Sequence, residues 1–275
     1  LKQTLTPVRF GNPCKLLKTG QEASYHADDD GDLEMGIPHS YAVLTTGQFA
    51  GTTNITINGK THALSNNCVK DNRTGLMWAR YVPNADIGPA ADGRLFWEQW
   101  PLGPKTDISF TAATKVINSV AGDFDVNALC VGRKVAITGA GEAGNNQTVT
   151  VTAITANDMT VSEVIVDETA GASVSFATVD DLIWDFLDQA NANALGGYTD
   201  WRLPNYHELP SIIDLGNCNP AIDTVAFPST PASYHWTAST NPCSSAVAWI
   251  VYFSSGGVSS PNKRTRKYYV RLVRG

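Results

Sequence analysis

Gly197-Tyr198-Thr199-Asp200-Trp201-Arg202-Leu203-Pro204-Asn205 lies between two helical patterns and decides how the chain around it must fold. Gly197 frees the backbone for a sharp reversal, and Pro204 pushes Leu203 into an extended conformation. Trp201 and Leu203 alternate with Asp200 and Arg202, which predicts a very short strand. Trp201 has the most surface to bury in this segment and is expected to nucleate a core. Trp78, Arg202, Trp236 and Trp249 are assigned to the same structural core. Arg202, flanked by apolar residues, then needs carboxylate or carbonyl partners.

Upstream, Val179, Leu182, Ile183, Phe186, Leu187, Ala190 and Ala194 recur at helical spacing and give one apolar face. Thr178 with Asp181 suits a capped start, and Gly196-Gly197 suits the end. Downstream, Asn205 and Glu208 repeat the capping logic for a helix whose Leu209, Ile212 and Ile213 face inward. Pro210 in its first turns predicts a kink or a late start. Strands are expected at His235–Thr237, Val247–Phe253, Gly257–Ser259 and Tyr268–Val273.

Toward the N-terminus, residues 1–13 read as an arm or linker, and Cys14 to Leu44 as a loop-dominated entry. Asn54 to Lys60 reads as a strand meeting a turn at Asn58-Gly59, and Val69 to Trp78 as a strand pair. The composition changes between about Lys105 and Thr178. All seven tryptophans and nine tyrosines lie outside this window, which is dominated by Val, Ile and Thr. Lys134–Thr138, Thr148–Thr152, Met159–Val161, Val164–Val166 and Ala172–Phe176 read as strands separated by polar turns. Residues 105–177 are therefore expected to form a small all-β module inserted into a host made of 14–104 and 178–275.

The 275 residues, 43% hydrophobic and 17% charged, describe an ordinary globular chain with no run long and apolar enough for a membrane helix. A formal charge of −6 argues against bulk nucleic-acid binding. Cys14, Cys68, Cys130, Cys218 and Cys243 lack any C-x-x-C spacing, so a zinc site is not expected. His26, His39, His62, His207 and His235 show no ligand spacing, and no G-x-S-x-G elbow is present. No catalytic residues are assigned.

The run Asp200 to Asn205 followed by Glu208-Leu209 resembles the signature of the DUF1566 family, the C-terminal domain type of the Legionella collagen-like adhesin. Three further stretches agree in order: Thr19-Gly20-Gln21 with Asp28 to Asp32, Asp71 to Trp78, and Tyr268 to Gly275. The resemblance implies an α+β, C-type-lectin-like fold used for adhesion or ligand display, without a known catalytic activity. In such an extracellular domain Cys218–Cys243 and Cys14–Cys68 are candidate disulfides, with free buried thiols as the alternative. The inserted module resembles small repeats of phage tail and other virion proteins.

Two segments are candidate sites. Between two alternating strands, Ser254, Ser255, Ser259, Ser260, Asn262, Lys263, Arg264, Arg266 and Lys267 offer hydroxyl, amide and cationic groups suited to sugars, phosphates or carboxylates. The resemblance points to this C-terminal region too, because variable residues of related lectin-like proteins fall there. The same segment also suits a solvated hairpin whose basic residues protect a sheet edge. Asp28, Asp30 and Asp32 around Gly31 could gather calcium, although the spacing is not that of an EF-hand. A solvated or arginine-paired acidic turn is the other reading, and no other cofactor is expected. The expected function is an adhesin that recognises a cell-surface glycan or protein receptor. It would be displayed on a virion tail or cell surface, with a homo-oligomer, a trimer foremost, as its setting and no membrane insertion. The alternative is a structural subunit of a virion or filament whose β insert makes inter-subunit contacts.

Overall fold

The computed structural model describes residues 18, 20, 37–57, 60–83, 93–98, 100–124, 126, 129, 131–179, 182–264 and 266–275. The α+β lectin-like expectation does not hold. The fold is mostly β: strands take up 40% and helix 10%, with a single α-helix among the described residues, and the strands divide among several sheets.

A four-stranded antiparallel sheet has the order β1-β4-β5-β18, from Tyr41–Leu44 (β1), Cys68–Asp71 (β4), Met77–Ala79 (β5) and Val273–Arg274 (β18). Between β1 and β4, Thr52–Ile57 (β2) and Lys60–Ser65 (β3) form a two-stranded ribbon. A three-stranded sheet has the order β14-β15-β16, from Tyr234–Asn241, Ser244–Tyr252 and Gly257–Ser259. Leu95–Phe96 (β6) pairs with Lys267–Tyr268 (β17).

The motif around Trp201 sits where these pieces meet. Asn191 holds the Trp201 backbone from both sides: its Oδ1 accepts from Trp201 N at 2.7 Å and its Nδ2 donates to Trp201 O at 2.9 Å. The indole Nε1 donates to Leu195 O, so Trp201 is buried with its polar atom satisfied. Arg202 makes a single bridge to Val273, which is all that remains of the expected strand. Its side chain is 39% exposed and forks onto Glu208 at 2.6 and 2.7 Å. Arg202 is thus a surface clasp and not a core residue. Trp249 also departs from the core list. It is half-buried and packs on Tyr206, whereas Trp78 and Trp236 are fully buried.

The α-helix α1 spans Ile183–Ala192, shorter than its apolar pattern, and packs on β2. Thr178 does not cap it. Thr178 ends a strand, and its buried hydroxyl accepts from Trp100 N and Arg133 Nη2; Asp181 lies outside the described residues. The second capping box forms as read. Glu208 N donates to Asn205 Oδ1 at 2.9 Å, and Asn205 N donates to Glu208 Oε2 at 2.8 Å. With Pro210 immediately inside, the box opens only a four-residue 3-10 turn, Leu209–Ile212.

The Val/Ile/Thr-rich stretch builds a seven-stranded sheet from Pro101–Lys105 (β7), Ile108–Thr111 (β8), Val116–Ser119 (β9), Lys134–Thr138 (β10), Thr148–Ile154 (β11), Asp158–Val161 (β12) and Val174–Thr178 (β13). The order is β7-β13-β10-β11-β12-β9-β8. A bulge between Val151 and Ala153 lets β11 pair with β10 through one half and with β12 through the other. The inward residues, among them Ile108, Phe110, Ile117, Val135, Val149, Met159 and Phe176, form a core of their own. Val164–Val166 is not a strand. Arg133, 1% exposed, joins this sheet to the rest by donating to Arg264 O, Glu98 O and Thr178 Oγ1. Its guanidinium lies 4.0 Å from the centre of the Phe96 ring.

Of the two cysteine readings the free thiols are found, although only Cys68 is buried and Cys218 and Cys243 are exposed. Cys68, Cys218 and Cys243 are free, while Cys14 and Cys130 lie outside the described residues. Cys218 adjoins Asn219, which bonds to Ser254 just past the end of β15, and Cys243 precedes the start of the same strand. Nine extended residues hold the two regions about 30 Å apart. A disulfide needs Cα atoms within about 7 Å. Burial pushes the Cys68 thiol up to about 12, which leaves it unreactive near neutrality.

Two outcomes follow from the core. Trp201→Ala should cost about 3–5 kcal/mol, read as a lowered urea midpoint. His235 is fully buried, and burial followed by the nearby Arg271 cation depresses its pKa to about 3. The unfolded chain takes up this proton below about pH 6.5 while the folded chain refuses it. Stability should therefore fall as the pH drops from about 6.5 to 5, by up to about 1.4 kcal/mol per unit. Urea titrations of His235→Leu in that window should show a visibly flatter slope.

Candidate binding surface

The segment between β15 and β17 starts as a turn over residues 253–256. Gly256 has φ +80°, and a Cβ there would meet Leu215 Cδ2 at 2.8 Å and Ile213 Cγ2 at 2.9 Å. Glycine is required because the turn is pressed onto the 213–221 loop. Phe253 O accepts from Ala221 N, and the Ser254 hydroxyl bonds to the Asn219 amide oxygen. Ser254 is thereby used to fasten the turn.

After the turn the chain runs back along β15 as β16, with Ile250 opposite Ser259 and Tyr252 opposite Gly257. β16 is the sheet edge, and all three of its residues are exposed. Asn262 bridges to Val247. From Tyr252 to Val247 the strip covers six residues, about 17 Å at the rise of a strand.

The nine expected ligand-binding residues divide into four exposed, four half-buried and one buried. Ser255, Ser259, Arg264 and Arg266 are exposed. Ser254, Ser260, Asn262 and Lys267 are half-buried; the Ser260 hydroxyl accepts from Asn241 Nδ2, and Asn262 Oδ1 accepts from Arg264 N. Lys263 reverses its expectation. At 5% exposed, its Nζ donates to Thr240 Oγ1 at 2.9 Å, lies 3.7 Å from Glu98 Oε1, and sits 5.2 Å from the centre of the Trp97 ring. Its cation is spent inside the fold, because the strand pairing of Asn262 turns the next side chain inward. Arg264, 48% exposed, reaches Glu98 Oε2 at 3.1 Å.

Sequence reading missed Glu98, Trp97 and Trp184 as neighbours of this loop. Trp184 is 38% exposed and meets Trp97 edge-on, with ring centres 5.2 Å apart. The bridge from Phe96 to Leu182 sets Trp97 beside Trp184, and the β6–β17 pairing brings Trp97 and Glu98 to the loop; no local spacing could have shown either. Asp28, Asp30 and Asp32 lie outside the described residues, and among the described residues no three acidic, histidine or cysteine side chains cluster to hold a metal. No helix among them is long and apolar enough to cross a membrane.

Residues 151–274 match the family model described as the Lcl C-terminal domain, which supports the resemblance drawn from the sequence motifs. The matched span begins within β11 and takes in the whole candidate surface. No curated protein matches the chain. A solved structure, the phage phi92 endosialidase, is similar at 12% identity with a TM-score of 0.27. That similarity covers 83% of this chain and 42% of the other, so the chain spans less than half of that protein, and so distant a likeness decides neither fold nor function.

The division of the loop can be measured. Lys263→Ala should destabilise the protein by about 1–3 kcal/mol, since it removes a buried hydrogen bond and a cation–π contact and leaves Glu98 with one cation fewer. Arg266→Ala should stay within about 0.5 kcal/mol of the parent in the same urea titration.

Proposed function

We propose that this protein is a recognition module of a surface-associated or virion-borne assembly, and that it binds a cell-surface glycan or protein receptor through the strip along β15 and β16. The observation that carries this reading is the two-sidedness of the strip. Its underside is fixed by Ser254, Ser260 and Lys263, while Ser255, Ser259, Arg264 and Arg266 face outward from the same backbone. A rigid support under outward polar groups favours binding, because little side-chain and loop freedom is lost when a ligand arrives. The Lcl C-terminal domain match over this region is consistent with an adhesive role. Single contacts of this size are weak, so a homo-oligomer, with a trimer as the simplest case, would raise avidity by about 10²–10⁴. Recognition without catalysis is the role proposed.

A second reading has its own observation. The seven-stranded module carries Val120, Val131 and Val164 at 73%, 65% and 78% exposure, which suits contacts between subunits of a filament or particle.

Replacing Ser255, Ser259 and Arg266 together by alanine should lower whole-cell binding at least about tenfold while leaving thermal unfolding unchanged. Unaltered binding would defeat the placement on this strip. Val120→Asp with Val164→Asp should block assembly, seen by sedimentation, if the module is the structural element.

A further inference from the structure

The sheet that carries the strip ends in a strand whose outer edge is open. β16 and the residues after it run opposite β15 in one register: Tyr252 faces Gly257, Ile250 faces Ser259 and Val247 faces Asn262. Ala248 N donates to Pro261 O and Lys263 N donates to Ala246 O, so residues 261 and 263 turn their backbone groups toward β15. These directions alternate along a strand. Gly257 and Ser259 therefore point toward β15 as well, while Val258, Ser260 and Asn262 present N–H and C=O to the free side. The Ser260 hydroxyl is taken by Asn241 Nδ2, but its backbone is not. Pro261 costs the ladder a donor on the β15 side only and leaves the outward row complete.

Proteins usually guard such an edge. In this chain β7 carries Pro101 and Pro104, and Phe110 of β8 is bridged to Glu168. The outer side of β14 is covered by Tyr269, which accepts from Trp236 N and donates to Tyr234 O. The basic residues expected to protect the β16 edge do not do so. Lys263 is turned inward to Thr240 and Glu98, and Gly257 to Asn262 carry no charge.

We infer that this edge docks a second copy of the same chain, antiparallel and about a two-fold axis at Ser260. Of the antiparallel registers, this one alone pairs all three outward residues with outward residues. Val258 falls opposite Asn262 of the partner subunit and Ser260 opposite its own equivalent, each pair exchanging two backbone hydrogen bonds. A slip of two residues breaks the set and sets Arg264 or Gly256 in the contact. In the two-fold register Lys263 falls opposite Gly257 and Arg264 opposite Gly256, so no like charges meet. Such self-complementarity is what an isologous contact requires. Three residues a side make a small interface, so the pair is reversible. The inference does not depend on the recognition reading, and the contact joins chains in pairs, whether single or already held in a larger assembly.

The test is sedimentation equilibrium of the full chain from roughly 5 to 500 µM, where a monomer–dimer equilibrium is expected. Ser260→Lys and Ser260→Asp set like charges directly opposite, and each should raise the dissociation constant at least about tenfold. Mixing the two variants should restore the dimer. In the unsubstituted chain, amide exchange at Val258, Ser260 and Asn262 should slow as concentration rises. A chain that stays monomeric to about 500 µM, or exchange at these three amides that ignores concentration, would overturn the contact. So would a mixture that stays monomeric although both variants keep the parent's urea midpoint.

Discussion

The last five residues hold the protein together by pairing on both sides at once. Leu272 O accepts from Ala79 N, Val273 lies opposite Trp78 in β5, and Val273 also exchanges both backbone bonds with Arg202. One short strand thus joins the N-terminal sheet to the Trp201 motif. Charged side chains then lock the crossing. Arg274 forks onto Asp200 at 2.6 and 3.0 Å and lies 3.7 Å from the centre of the Tyr198 ring, and Gly275 O accepts from Arg202. Arg271 enters the interior and donates to Ala79 O, Arg80 O and Thr230 Oγ1. Burial lowers its pKa to about 9, still high enough for a full cation at neutral pH. Two backbone carbonyls and the Thr230 hydroxyl supply the partial negative charge it requires.

The same use of arginine recurs wherever separate pieces meet. Arg73 pairs with the fully buried Asp71 inside one tight turn and also donates to Ser211 O, tying that turn to the 3-10 segment 138 residues later. Arg133 fastens the seven-stranded sheet to the β6–β17 ribbon through carbonyl oxygens and the Phe96 ring. Guanidinium groups suit these junctions because five N–H donors in a plane can satisfy several carbonyls from different segments. The consequence for recognition is a rigid platform. β15 is paired beside by β14, and the turn that follows it is fastened to the 213–221 loop, so the outward residues of the strip can change without disturbing what lies below.

Local rules were legible where neighbours in sequence are also partners in space. The Asn205–Glu208 box was readable because both members lie within one turn, and the strands of the Val/Ile/Thr stretch because inward residues alternate. The same rules failed where a distant segment competed. Thr178 had every qualification for a helix cap, but Trp100 and Arg133 claimed its hydroxyl and drew it into β13. Lys263 resembled its basic neighbours until the bridge from Asn262 to Val247 turned it toward Trp97 and Glu98.

By itself the amino-acid sequence determined the Trp201 anchor, the capping box and the alternation of four of the seven strands in the Val/Ile/Thr-rich sheet. Each of these depends on side-chain type and spacing over a few residues. The sequence did not separate the outward Ser255, Ser259, Arg264 and Arg266 from the inward Lys263. Only the tertiary structure decided that the fold is mostly β, that Arg202 clasps the surface, that Cys218 and Cys243 stand at opposite ends of one strand, that Trp184 meets Trp97, and that Glu98 meets Arg264. Those outcomes depend on which segments meet in space, some of them far apart in the chain, such as Glu98 and Arg264. Such pairing is set by the summed burial of whole faces, and no single stretch of the chain records it.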